Sequence, residues 1–284
     1  MPIDAHEANR RSWNAVTPAH QSHKRDQAGF LRAGGSTLFP DEVELLGDLR
    51  GRRLVHLQCN CGQDTLSLAR LGAEVTGVDI ADLAIDEARA LSEASGIPGR
   101  FDRADLFDWF TQARVEGRRF DVAFSSYGFL GWLSDLDVWA RGLADVLEPG
   151  GAFVGLEFHP FAFVFGPSWD RAHPYQTGGV ALDEEGVGDY VGASGDALAP
   201  SGFEEGVVAF ENPHPTREFA WGVSDLLTAL LGAGLRLEVV REYPYANGWR
   251  GFERMTPLPG QRWTVPEGTP SLPLMLGVVA RKPG

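Results

Sequence analysis

The chain has 284 residues, 43% of them hydrophobic, which is enough to bury a large core around one α/β sheet with an insertion. Lysine and arginine number 25 against 39 aspartates and glutamates, and the formal net charge of −14 repels phosphate backbones, arguing against nucleic acid as a partner. No run approaches ~18 apolar residues and the N-terminus MPIDAHEANRRSW has no apolar h-region, so no membrane span or secretory leader is expected and the protein is placed in the cytoplasm.

Residues 1–50 read as a helical cover, with a polar helix over Ala5 to Ala15 and a second over Asp41 to Leu49 that leads into the first strand. Trp13 and His20 in this stretch either pack on the sheet or cover a bound ligand. Leu54, Val55 and Leu57 form a short apolar strand, and a tight loop runs from Gln58 to Gly62. A helix starts at Asp64 and Thr65 and stops at Gly72, a residue suited to positive φ at a helix end. Asp64 is read as its N-cap, which is compatible with contact to a ligand amino group. His56 is read as a hydrogen-bonded strand histidine. Glu74 to Ile80 is a second buried strand closed by Asp79, 21 residues after Gln58. Strand, loop, helix, strand and terminal acid form the plan of a nucleoside site, because a carboxylate can accept two ribose O–H donors at once. The G-x-G-x-x-G of a dinucleotide loop is missing, which disfavours an NAD-dependent reductase. Cys59 and Cys61 are too close in sequence for an unstrained disulfide and have no second Cys/His cluster, so they suit a reducing compartment and no metal is expected.

Phe101 to Trp109 (FDRADLFDW) resembles the third strand, with its terminal acid, of the class I S-adenosylmethionine methyltransferases, and Phe120 to Leu133 (FDVAFSSYGFLGWL) resembles that family's fourth strand. Leu143 to Pro160 (LADVLEPGGAFVGLEFHP) resembles the same family's helix, Pro-Gly-Gly turn and fifth strand. Ser125 and Ser126 end the fourth strand, where open α/β sheets place ligand contacts. Tyr127 and Trp132 line that pocket or fill the core. His159 follows the fifth strand, and its ordinary pKa near ~6.5 suits a general base; a hydrogen-bonded support for the next segment is the equal alternative. Residues 160–221 are rich in Gly, Pro and acids and are expected to be a lid with short strands, including a hairpin over Val207 to Trp221 turning at ENPHP. Its aromatics Trp169, Tyr175, Tyr190 and Trp221 either make a lid core or wall an apolar pocket. Val223 to Leu235 reads as a late helix capped by Ser224 and ended at Gly234, followed by strands over Leu235 to Tyr243 and Leu272 to Ala280.

These landmarks, in this order, resemble the class I S-adenosylmethionine (SAM) methyltransferases. Laid against that family's D-x-G-x-G-x-G loop, His56 stands at the acid, Gln58 and Asn60 at the first two glycines and Gly62 at the third. The resemblance implies a doubly wound, mostly parallel seven-stranded Rossmann-like sheet whose last strand is antiparallel, with a lid inserted after strand five. It implies that Gln58, Asn60, Gly62, Gln63 and Asp64 hold the methionine end of SAM and that Asp79 and Ile80 flank the ribose. Asp105 and the Leu106 backbone would bond the adenine, and Trp13, His20, Ser125 and Ser126 would complete the cofactor site. Tyr127 and His159 are the expected catalytic residues, with Tyr127, Trp132, His159, Trp169, Tyr190 and Trp221 facing the acceptor. The expected function of residues 1–284, one domain, is methyl transfer to a small apolar or aromatic metabolite, leaving S-adenosylhomocysteine (SAH). A non-catalytic SAM/SAH-binding sensor is the alternative. The protein is expected to be a monomer or homodimer, and O-, N-, C- and S-methylation all stay open.

Overall fold

The computed structural model describes residues 4–284, so the first three residues of the expected cover lie outside it. Three helices lead in: α1 (Ala5–Ser22), α2 (Gln27–Arg32) and α3 (Pro40–Leu46). Strands and helices then alternate through β1 (Arg53–Leu57), α4 (Gln63–Arg70), β2 (Glu74–Asp79), α5 (Asp82–Ser95), β3 (Arg100–Arg103), α6 (Leu106–Val115), β4 (Phe120–Ser126), α7 (Leu136–Val146) and β5 (Leu147–Phe158). The segment after β5 holds β6 (Leu182–Glu184), α8 (Tyr190–Ser194) and β7 (Thr216–Glu218). It is followed by α9 (Val223–Gly232), β8 (Arg236–Tyr243), the short strands β9 (Ala246–Asn247), β10 (Thr256–Leu258) and β11 (Arg262–Thr264), and finally β12 (Met275–Arg281).

Seven strands make one sheet in the order β3-β2-β1-β4-β5-β12-β8. β1 to β5 are mutually parallel and β12 runs antiparallel to both β5 and β8. The sequence explains the burial: with a two-residue period, Leu54, Phe124 and Val154 pack toward α3 and α4, while Val55, Ala123 and Phe153 pack toward α6, α7 and α9. Strand order reverses between β1 and β4, so the loops leaving those strands diverge and open a crevice at their carboxyl ends. No helix among the described residues is long and apolar enough to cross a membrane.

Local expectations differ from the structure at several places, and Leu106 to Trp109, read with the third strand, opens α6. The first helix continues through Pro18 to Ser22. Proline disfavours this locally, but the helix is held along its length by long-range partners. The Asp41 to Leu49 helix starts at Pro40 and ends at Leu46, because Gly47 turns with φ 66°. The late helix is capped not by Ser224 but by Asp225, whose carboxylate accepts from the Gly222 N–H at 2.9 Å. No hairpin forms at ENPHP; β7 pairs with β6 instead. Asn212 in that stretch donates from Nδ2 to Ser12 and to the Val187 carbonyl, which ties the segment to α1.

Candidate functional site

A cavity of about 910 Å³ lies at the carboxyl ends of the sheet strands, walled by α1, the loops after β1 to β5, the segment after β5 and the loop after β8. Its floor is the loop from Gln58 to Gly62. Gln58 and Asn60 adopt φ of 56° and 49°, the left-handed region that the glycines of the family loop would occupy freely. Asn60 steadies itself by accepting from the Cys61 N–H at 2.7 Å, and Gln58 donates to the Phe129 carbonyl at 3.2 Å. Gly62, φ 74°, faces away from the cavity, since a Cβ there would meet Ala88 and Phe101 at 2.8 Å. It serves packing between loop and α5. A left-handed non-glycine costs ~1–2 kcal/mol, more when β-branched. Gln58→Gly is therefore expected to unfold in urea within ~1 kcal/mol of the parent, while Gln58→Val loses ~2 kcal/mol or more.

Asp79 closes β2 with both carboxylate oxygens fixed, Oδ2 by the Asn60 N–H at 2.8 Å and Oδ1 by the Ala81 N–H at 2.9 Å. Each oxygen keeps a second lone pair for a ligand hydroxyl. Burial pushes its pKa up against these bonds. Asp105 caps α6, its Oδ1 accepting from Phe107 and Asp108, and its Oδ2 lies 2.5 Å from His6 Nδ1. Asp64 is not a cap: it sits inside the first turn of α4 and accepts from Thr37 Oγ1. Ile80, Leu106, Gln63 and Ser126 line the cavity, the last with its hydroxyl 3.5 Å from His56 Nε2. His56 Nδ1 bonds Thr65 Oγ1 at 2.8 Å, and burial lowers its pKa to about 3, leaving it neutral. Tyr127 lines the cavity at a strained φ of 29°; its hydroxyl accepts from Asn247, and burial beside Glu42 keeps the phenol protonated. Trp13, Trp132, Tyr190 and Trp221 also face the cavity, and the Trp13 and Trp132 rings meet edge-on at 5.5 Å.

Four expected site residues lie elsewhere. His159 is 3% exposed and stands outside the cavity; Nε2 pairs with Glu242 at 2.9 Å and Nδ1 accepts from the Phe161 N–H, so it joins the exit of β5 to β8. Trp169 stacks on Phe252 at 4.2 Å in a separate small core under the loop after β8. His20 is buried against Tyr190, with Nε2 on the Gly188 carbonyl at 3.1 Å. Ser125 points to the other side of β4 from Ser126 and is fully buried.

Sequence reasoning missed three groups. Glu157, a single acid in the apolar strand GAFVGLEF, is buried at the cavity and accepts N–H bonds from Gly128, Leu130 and Phe158; burial lifts its pKa to about 7. That carboxylate shapes the loop leaving β4. Lys24 lines the cavity with no ion pair within 4 Å among the described residues, and burial lowers its pKa against the pull of Asp64. His6 carries a buried Nε2 with no hydrogen-bond partner. Gln58 Oε1 is likewise buried and unpaired. Lone polar residues scattered over α1, the turn after it and β5 give no motif, which is why His6, Lys24 and Glu157 were invisible.

Residues 55–151 match the family described as Methyltransferase domain. A ubiquinone biosynthesis O-methyltransferase from Bordetella avium is 28% identical over 124 residues, covering 43% of this chain and 50% of that protein. A demethylmenaquinone methyltransferase from Thermus thermophilus is 30% identical over 163 residues, covering 55% of this chain and 71% of that protein. The chain belongs to the class I SAM-dependent methyltransferases. A crystallised SAM-dependent methyltransferase from Mesorhizobium loti shares the fold with a TM-score of 0.55 and 22% identity, over 87% of this chain and 99% of that one. The chain spans about half the length of several curated relatives it matches. The cavity offers groups of the kinds SAM can bond: an anchored acid at Asp79, the amino group of Lys24, without an ion pair among the described residues, and orphaned polar atoms on Gln58 and His6.

Proposed function

We propose that this methyltransferase transfers the methyl group of SAM to a small, flat, largely apolar acceptor held under the segment 160–221. The observation that supports this reading is the continuity of one cavity from Asp79 and Asp105 to an aromatic wall of Phe163, Tyr175, Trp221 and Trp249. Its volume is near the top of the ~300–1,000 Å³ range of ligand sites, roomy enough for cofactor and acceptor together. The named activities of the Bordetella and Thermus relatives, on ubiquinone and menaquinone precursors, agree with a quinol-like or phenolic acceptor.

When bound, SAM supplies a sulfonium methyl that is already activated, so the chain's task is alignment, water exclusion and removal of one proton. Alignment alone contributes up to ~7–11 kcal/mol in well-oriented cases. The aromatic faces provide the dry wall, and Tyr127, held as a phenol, can donate a hydrogen bond. With His159 outside the cavity, the proton acceptor we assign is His173, which lines the cavity on the lid 3.8 Å from Glu184. His56 is unsuited because it stays neutral and bonded. Incubation with methyl-labelled SAM and a panel of catechols and quinols should label at least one of them, and His173→Ala should slow that transfer by ~10²-fold with unchanged SAM affinity. SAM binding without transfer to the panel or to a metabolite extract would leave the non-catalytic sensor as the reading.

A further inference from the structure

Asp105 stands where the family resemblance places the contact to adenine, and its oxygens already accept bonds within the chain, although Oδ2, like the oxygens of Asp79, keeps a second lone pair. Oδ1 is taken by the N-terminus of α6 and Oδ2 by His6. The consequence falls on His6. Its ring is fixed three ways: by Nδ1 on Asp105 at 2.5 Å, by an edge-on contact with Phe107 at 5.0 Å, and by its place in the first turn of α1. That helix is itself docked onto the start of α5, where Arg10 and Asn14 bond Asp82 and Asn14 accepts from the Leu83 N–H at 3.0 Å. The opposite ring nitrogen, Nε2, is buried without a partner on a residue that lines the cavity. A buried polar atom left unpaired is costly and calls for an explanation, and a polar ligand is the one the location offers. Ile80, Leu106 and Phe107 line the cavity beside it, apolar groups that suit the faces of a flat base.

We propose that His6 reads the adenine base of the cofactor through Nε2, with Asp105 as the positioning residue behind it. This rests on the SAM-dependent reading above. Asp105 holds the proton on Nδ1, so in the neutral ring Nε2 carries a lone pair and accepts from the exocyclic amino group of adenine. In the imidazolium, Nε2 becomes a donor, which suits a 6-oxo base and not a 6-amino one. The charged groups facing His6 are Asp105, Asp4 and Asp108, all acidic, and together they raise its pKa against the effect of burial. The preference for the amino base should therefore weaken on acidification.

The test is calorimetric binding of SAH and of S-inosylhomocysteine, which differ at the 6-position of the base, to the full chain at pH 8 and pH 6. The parent is expected to favour SAH at pH 8 and to lose about tenfold of that preference at pH 6. His6→Ala, and His6→Phe, which keeps the packing on Phe107, should show a preference reduced by about tenfold at pH 8 and independent of pH. His6→Gln, which retains an acceptor, should restore part of it at both pH values. Unchanged discrimination in folded His6→Phe overturns the proposal while leaving SAH binding, and with it the family reading, intact. A parent chain that binds neither ligand overturns both.

Discussion

Asp79→Asn is expected to weaken SAM and SAH binding by about 10- to 150-fold, the equivalent of losing ~1.5–3 kcal/mol of charged hydrogen bonding. We assign this residue to the ribose end. Its carboxylate is immobilised by the Asn60 and Ala81 N–H groups, so the remaining lone pairs are aimed before a ligand arrives and no rotamer freedom is lost on binding. The asparagine variant is the more informative one. Asp79→Ala would also leave two N–H donors without partners and disturb the left-handed loop, mixing a folding defect into the affinity. Isothermal titration of the folded Asn variant checks the expectation, and an unchanged Kd would move the ribose away from the end of β2.

Acidification is the second large effect. His56 has a folded pKa of about 3 against an ordinary 6.5, so the unfolded chain binds a proton in this window that the native chain refuses. Stability contributed by the neutral His56 is complete above pH 6.5 and is lost as pH falls toward 3. Between pH 6.5 and 4.5 the slope for one such group amounts to ~2–3 kcal/mol. His20, lowered to about 4 by burial, adds in the same direction. Glu157 acts with the opposite sign: raised to about 7, it favours the folded state as pH falls from 7 toward 4.5. The clean measurement is therefore a difference. In urea unfolding, His56→Gln should lose ~2–3 kcal/mol less than the parent between pH 6.5 and 4.5, and equal losses would mean that the imidazole is protonated or solvated in the native state.

The scaffold was legible in the sequence because its signals are local. Apolar runs such as Leu54 to Leu57 and a glycine at a helix end such as Gly72 constrain the backbone within a few residues, whereas Pro149-Gly150-Gly151, expected as a turn, lies inside β5 with Gly150 at φ 81°. Gln58 and Asn60 even adopt the left-handed angles expected of the glycines they replace. Legibility stopped where partners are distant. His159 had the right residue type after the right strand, but its fate was decided by Glu242. Asp64 looked like a cap, yet the turn is reached from Gly62 and the carboxylate is drawn to Thr37. His6, Lys24 and Glu157 reach the cavity through tertiary contacts that no spacing rule announces.

The seam between α1 and the segment after β5 sets an order of events during synthesis. Asn9 and Arg217 exchange backbone and side-chain hydrogen bonds at 2.8 Å, Ser12 receives the Val187 N–H, and His23 pairs with Asp189 at 2.7 Å, partners separated by 166 to 208 positions. Ring closures of that length are late and slow steps in folding. Helix α1 can rest on α5, where Arg10 and Asn14 meet Asp82 72 and 68 positions further on, but its seam with the segment after β5 waits for partners 166 to 208 positions away. The parallel strands β1 to β5 can pair in the meantime, whereas β12 and β8 follow the roof segment in the sequence, so the roof over the cavity can close before the antiparallel edge of the sheet is laid down.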